Sequence, residues 1–464
     1  MTELWGGRFA EPLADEMRRF SSSYAVDHRL ALYDLIGSKA HAHALHDAGI
    51  LDRSQLTTLL DALDQVAAEV RDGTFAPDNA DGGPLPEDVH SAVETRLVEL
   101  CGEIGKRLHA GRSRNDQVVT DMLLWLRDES HDIESAVRQL QQVLVALAER
   151  YQHLVVPSYT HLQRAQPVSL AHQLLAHFEG FDRDVGRLRD ARARADRCPL
   201  GAGAGTGTSI PIDRRVTAAR LGFSRVATNS VDAVADRDWA VEFVSTCALI
   251  MTHLSRLAEE LILWSAVEFG VARIGDAFCT GSSMMPQKRN PDAAELVRGK
   301  TARVAGDLQT LLTLLKGLPL GYNRDLQEDK EALFDAADTT GAALAIMASM
   351  LRSTEFQTPA ALGPDFMGAT DLAEELVRRG MPFRVAHQRV GQLVQRCEAD
   401  GRGLAQASPD ELALAGVADL DPAMLTPAGS VAAKRSLGST SPTEVTLALA
   451  SAKHLLQSVG DPIA

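Results

Sequence analysis

With 464 residues and 45% hydrophobic side chains, the chain is long enough for two or three cores and too apolar to be mostly disordered. Basic residues number 47 against 62 acidic ones, a formal charge of -15. No basic tail or stripe appears, which argues against a nucleic-acid surface and leaves an anionic substrate to a local cluster of Arg and Lys.

Residues 1 to about 110 mix short helical stretches with loops, and the segment Ala76–Pro86, with Pro77, Gly82, Gly83, Pro84 and Pro86, breaks the helical pattern. His41, His43 and His46 fall in one helical stretch. His41 and His43 point in different directions on a helix, so the trio reads as a solvated face and not as a metal site. Long helices are expected at roughly 115–150 and 168–197. Another runs from Asp238 to Phe269, where Val241, Val244, Ala248, Met251, Leu254, Leu257, Leu261 and Trp264 recur at three- and four-residue steps. At 1.5 Å per residue it would be roughly 45–50 Å long. Two more are expected at roughly 292–316 and 328–353.

Aromatics are only 5%, and Ala, Leu and Val dominate the apolar content, a bias toward packed helices. Five long helices in one region imply an elongated bundle, and apolar residues on more than one face imply burial against other subunits. Near Ser353 the residues Thr358, Pro359, Gly363 and Pro364 end the pattern, and shorter helices follow. The expected fold is all-α: an elongated central long-helix bundle (112–355) flanked by two smaller, mostly helical domains (1–111 and 356–464).

Five cysteines, Cys101, Cys198, Cys247, Cys279 and Cys397, lie far apart without a C-x-x-C pair, the usage of reduced thiols in a cytosolic protein. The opening lacks an apolar signal region, and no run approaches about 20 apolar residues. A soluble, cytoplasmic protein is expected.

Three polar segments interrupt the apolar scaffold. Gly281-Ser282-Ser283-Met284-Met285-Pro286-Gln287-Lys288-Arg289-Asn290-Pro291-Asp292 carries two cations and ends at a proline that can start a helix. Its amides, with Lys288 and Asn290, suit a carboxylate and the charge that develops on it; a serine in that field could act as a base. A mobile surface loop with a helix cap fits the same residues equally well. Tyr159-Thr160-His161-Leu162-Gln163-Arg164-Ala165-Gln166-Pro167 offers His161 for proton transfer, although a lone histidine is more often structural. His109-Ala110-Gly111-Arg112-Ser113-Arg114-Asn115-Asp116-Gln117 reads as a carboxylate clamp at a helix start, or as a solvated cap.

Taken together, the three segments resemble the fumarase, aspartase and argininosuccinase superfamily, whose signature loop the G-S-S-x-M-P-x-K-x-N-P stretch resembles. Within it, H-A-G-R-S-R-N-D-Q, Y-T-H-L-Q-R-A-Q-P, Q-K-R-N-P-D and the stretch Leu318–Lys330 look like the argininosuccinate lyases. So do the opening W-G-G-R-F and Phe20-Ser21-Ser22-Ser23.

The resemblance implies β-elimination of argininosuccinate to arginine and fumarate, the last step of arginine biosynthesis, without metal or organic cofactor. It implies Ser282 as base, Lys288 and Asn290 stabilising an aci-carboxylate, and His161 as the acid or the group that governs it, with Glu295 as its partner. Substrate binding is implied for Ser23, Arg114, Asn115, Thr160, Tyr322, Gln327 and Lys330, and more weakly for His90 and Arg237. Acceptors for the guanidinium end stay open, Asp27 being one option. The implied assembly is a homotetramer whose sites are shared between three chains, with no nucleic-acid or membrane partner. Adenylosuccinate lyase or fumarase is the nearest rival, and the R-S-R-N-D-Q segment argues against both. A structural, crystallin-like role is a rival of another class.

The run Gly201-Ala202-Gly203-Ala204-Gly205-Thr206-Gly207-Thr208 lacks the G-K-S/T ending of a P-loop and the spacing of a dinucleotide fingerprint. It reads as a flexible turn between long helices.

Overall fold

The computed structural model describes residues 13–75, 86–359 and 365–458. The opening W-G-G-R-F, nearly all of the Ala76–Pro86 break, and Gly363 and Pro364 lie outside them. The chain begins with short helices α1 (Asp15–Ser21) and α2 (Tyr24–Asp27), then α3 (Ala31–Asp47), α4 (Arg53–Arg71) and α5 (Val89–Cys101). Sequence dictates these starts. Asp52 and Gln55 form a reciprocal capping box on α4, and Asp88 and Ser91 do the same on α5.

The long helices follow: α6 (Arg114–Arg150), α7 (Leu170–Ala195), α10 (Asp238–Ser265), α11 (Asp292–Leu315) and α12 (Asp329–Arg352). Each begins and ends within about one turn of its expected position. In α10, Val244, Met251, Leu254, Leu257, Leu261 and Trp264 are all buried, as their spacing requires. Between α7 and α10 lie the short helices α8 (Arg214–Arg220) and α9 (Ser230–Ala235). The chain closes with α13 (Ala369–Arg378), α14 (Phe383–Ala399), α15 (Pro409–Ala415), α16 (Pro427–Ala433) and α17 (Pro442–Ser458). Strands are few. β1 (Val155–Thr160) and β2 (Gln163–Ser169) form an antiparallel hairpin, β3 (Arg197–Cys198) pairs parallel with β4 (Arg225–Val226), and β5 (Ala272–Arg273) pairs antiparallel with β6 (Glu355–Phe356). The fold is mostly helical, as composition and periodicity imply.

Two compact units emerge, each assembled from three stretches of chain: 1–133, 186–248 and 303–339 in the first; 134–185, 249–302 and 340–464 in the second. In the first unit, Leu35, Leu45, Leu59, Leu63, Val93 and Leu97 pack α3, α4 and α5 into one cluster. Trp125 meets Phe334 and Phe243 edge-on, with ring centroids 4.6 and 6.3 Å apart. In the second unit, Leu372, Leu376, Val390, Leu393 and Leu412 bring α13, α14 and α15 together.

The histidines of α3 correct the expectation of a solvated face. His41 is fully buried, and its Nε2 lies 2.9 Å from the carbonyl of Ala110. Burial, reinforced by the nearby Arg112 guanidinium, pushes its pKa down from 6.5 to about 3. Helical phase argued that His41 and His43 diverge, but it could not say that α3 is enclosed on the His41 side. The neutral ring has a pH consequence. Between pH 6.5 and 3 the unfolded chain binds a proton that the folded chain does not, so stability falls as pH drops through this window. The slope attributable to this one group is at most about 1.4 kcal/mol per pH unit. Thermal midpoints recorded from pH 8 to 5 should fall more steeply below pH 6.5 in wild type than in His41→Gln; parallel curves would show that His41 is not the group responsible.

Candidate active site

The second unit holds the signature loop, and its local bonding explains its shape. Thr280 and Asn290 pair across its neck (Thr280 N to Asn290 O, 3.1 Å; Asn290 N to Thr280 O, 2.8 Å). The Asp292 carboxylate, at the first position of α11, accepts from the Thr280 amide at 3.2 Å and from its hydroxyl. Arg289 is turned back to the carbonyl of Ile274 (2.7 Å) and to Asp276. Lys288 has no side-chain partner among the described residues and is exposed. The two adjacent cations therefore separate into an anchor and a free charge.

Ser282 sits where the loop turns. Its Oγ accepts the backbone N–H groups of Met284 (3.2 Å) and Met285 (3.1 Å). Donors aimed at an oxygen favour its negative form, so this hydroxyl is held in a field suited to an alkoxide. The Asn290 side-chain amide donates to the carbonyl of Gly281 at 3.4 Å. Glu295, in the first turn of α11, is exposed and lies 3.7 Å from Arg298.

His161 is also in the second unit, though not on a plain loop. His161 and Leu162 are the two-residue tip of the β1–β2 hairpin, with φ of 55° and 57°. Two consecutive positive φ values define the turn that matches strand twist, normally made with Asn or Gly. Non-glycine residues there cost roughly 1–2 kcal/mol each. Thr160, His161 and Leu162 are exposed, and no hydrogen bond joins His161 to Glu295 among the described residues of one chain. The strand pairing corrects the reading of residues 159–167 as a polar, loop-like segment and brings Pro167 together with Pro157. In the hairpin they face each other in the register.

The first unit holds the other candidate residues. Ser23 donates its hydroxyl to Asp27 (2.6 Å), and Asp27 also accepts the Val89 amide at 2.9 Å. Arg324 and Gln327 both donate to the carbonyl of Ser21, at 2.9 and 3.1 Å. Arg237 and Lys330 are buried on one carboxylate, Asp329, at 2.5 and 3.1 Å. Tyr322 is half-buried, and burial pushes its phenol pKa up. Arg114 reaches Gln117 (3.0 Å) and Asp88 (3.3 Å), while the Asn115 amide donates to Ser113 Oγ at 3.3 Å.

His90 is buried against two carboxylates, its Nδ1 lying 3.2 Å from Asp34 and 3.3 Å from Asp121. The three side chains have ligand-type atoms within 4.8 Å of one another. Gln117 donates to Asp34, and the half-buried Arg112 donates to Ser38 at 2.9 Å. Burial acts to raise both carboxyls. Bonds to His90 and Gln117, with the Arg112 charge, bring Asp34 down to about 2, while the neighbouring Asp34 charge adds to burial in driving Asp121 well up. Arg112, His90 and Gln117 thus surround the two carboxyls in one polar network.

Sequence reasoning sought donors for an anionic substrate, and so overlooked the carboxylates that hold those donors: Asp34, Asp88, Asp116, Asp121 and Asp329. Asp88 as a helix cap was their only local signal.

A family model described as "Lyase" matches residues 7–306, and one described as "Argininosuccinate lyase C-terminal" matches 366–432. An argininosuccinate lyase of Synechococcus sp. (strain JA-3-3Ab) is 54% identical over 401 residues, 86% of this chain and 81% of that one. One from Symbiobacterium thermophilum is 49% identical over 462 residues, 98% and 99% of the two chains. Among solved structures, an EDDS lyase in complex with formate aligns with a TM-score of 0.81 at 28% identity, covering 97% of this chain and 91% of that one. A class II fumarase from Schistosoma mansoni, 16% identical, shares the fold with a TM-score of 0.75 over 89% and 94% of the two chains. The chain belongs to the argininosuccinate lyase family.

Proposed function

We propose that the protein eliminates fumarate from argininosuccinate, releasing arginine, and that Ser282 removes the proton. The observation that carries this reading is the pair of amides on Ser282 Oγ. An ordinary serine is a poor base, and only a site that pays for the alkoxide electrostatically can use one. Oγ takes the Cβ proton; the electron pair moves first toward the adjacent carboxylate, as an aci-carboxylate, and then into the new C=C bond as the C–N bond breaks. Lys288 and the Asn290 side chain stabilise the aci-carboxylate. His161, with Glu295, serves the acid side and supplies the proton that the leaving guanidino nitrogen needs, directly or through a water.

The first-unit residues Ser23, Arg114, Asn115, Tyr322, Gln327 and Lys330, with Thr160 from the second, form the binding set for the substrate carboxylates. His90 and Arg237 support it from beneath. The exposure of His161, Lys288 and Glu295 on a single chain supports sites completed by other chains of a homotetramer. Leu249, Leu296, Leu312 and Ile346 on the long helices are exposed and suit burial in the same assembly. The division into segments 1–111, 112–355 and 356–464 belongs to this reading. So do a cytoplasmic setting and a place at the end of arginine biosynthesis.

Fumarate release followed by ultraviolet absorbance tests the reading. Ser282→Ala should lower kcat by roughly 10²–10⁴-fold with KM nearly unchanged. Near-wild-type turnover would remove Ser282 from the role of base. Lys288→Met should lower kcat by roughly 10²–10³-fold, the loss expected when one charge-stabilising donor is removed. Arg289→Met, which disturbs only the anchor, should cost clearly less. Co-refolding Ser282→Ala with His161→Asn should restore measurable turnover that neither variant has alone; continued silence of the folded mixture would argue for sites built within one chain. Wild type that releases fumarate from another succinyl compound, and not from argininosuccinate, would overturn the substrate.

A further inference from the structure

The glycine run at 201–208 is not a loose turn: Gly201, Ala202, Gly203 and Gly205 are buried. It wraps a carboxylate of the chain itself. Asp116 Oδ2 accepts the amides of Gly201 and Gly203, both at 2.8 Å, and Oδ1 accepts the amide of Ser113 at 2.9 Å. Three backbone donors on one buried carboxylate make an anion cradle with its anion built in. Gly201 and Gly203 have φ of +88° and +61°, and a Cβ on Gly203 would lie 2.8 Å from the carbonyl oxygen of Gly207. Only glycine turns both amides onto the carboxylate.

The cradle is itself anchored. Arg214 donates to the carbonyls of Leu200 (3.0 Å), Ala227 (3.0 Å), Pro199 (3.1 Å) and Cys198 (3.3 Å). Gly207 N closes the loop on Ala202 O at 2.8 Å. On its other side, Asp116 occupies the first turn of α6, directly after Arg114 and Asn115. Its Oδ1 holds the Ser113 amide, and the Ser113 hydroxyl accepts the Asn115 amide at 3.3 Å. Asp116 is fully buried and cannot reach a ligand itself.

We infer that Asp116 is a positioning residue: clasped by the glycine loop, it sets the start of α6 and thereby the Arg114–Asn115 clamp that receives a substrate carboxylate. The inference rests on the proposed function, in which that clamp binds argininosuccinate. Asn at position 116 keeps the volume but faces amide donors on both sides with only one acceptor oxygen, so its NH₂ meets an N–H and the helix start must shift. A displacement of about 1 Å at a positioning group costs on the order of 100-fold. Ser282, Lys288 and Asn290 belong to the other unit and keep their own bonding, so the loss falls on binding.

The test is steady-state fumarate release by wild type, Asp116→Asn, Arg114→Ala and the double variant, with far-ultraviolet circular dichroism to establish folding. Asp116→Asn should raise KM by about 10- to 100-fold with kcat within about threefold of wild type. In the Arg114→Ala background the same change should add less than about threefold, because the group it positions is gone. Unchanged kinetics in folded Asp116→Asn, a loss in kcat alone, or equal losses in both backgrounds would overturn the inference. If Asp116→Asn does not fold, Arg214→Gln reads the same quantity by loosening the cradle from behind: raised KM supports positioning, and unaltered KM overturns it. Wild type unable to release fumarate from argininosuccinate would instead sink the functional reading, and the inference with it.

Discussion

A charged group taken out of water costs several kcal/mol unless it is paired and hydrogen-bonded. Much of the first unit follows from that constraint. Arg237 and Lys330 are buried, so Asp329 lies between them. Arg112 is half-buried beside Asp34 and Asp121, and its charge lowers both carboxyls against the effect of burial. Asp116 is buried, so three amides close on it. Arg237 with Asp329, Asp34 with Gln117, and Asp116 with the glycine run join stretches far apart in sequence. In the proposed function, preorganisation of this kind holds donors ready for an anionic substrate.

The second unit obeys the opposite regime. Its chemical groups are carried on exposed backbone whose shape is set by short-range bonding: the Thr280–Asn290 pairing, the Arg289 anchor, and the amides folded back onto Ser282. The hairpin tip tolerates two non-glycine residues at positive φ, a local strain that pairing of β1 with β2 must offset.

The helices were largely legible in the sequence, because apolar spacing over 24 or more residues leaves little freedom in period or phase. The three polar segments were legible by residue type, with a cation, an amide side chain and a proline at a helix start; the carboxylate role read from them belongs to the proposed function. Their local geometry was not. The structure turns the polar segment 159–167 into a hairpin tip and strand, and the expected flexible turn at 201–208 into a cradle on Asp116.

What the sequence determined by itself was the all-helical class, the extents of the long helices, and a set of side chains fitted to carboxylate chemistry. These depend on periodicity and residue type, which are local properties. The tertiary structure alone decided that His41 is enclosed, that Asp116 lies in the glycine cradle, that Asp329 joins Arg237 to Lys330, and that Lys288, not Arg289, is the free cation. The buried cases depend on which distant backbone arrives beside a polar group, and the low dielectric of a packed interior then leaves that group few acceptable partners; the division between Lys288 and Arg289 rests on the bonding of an exposed loop.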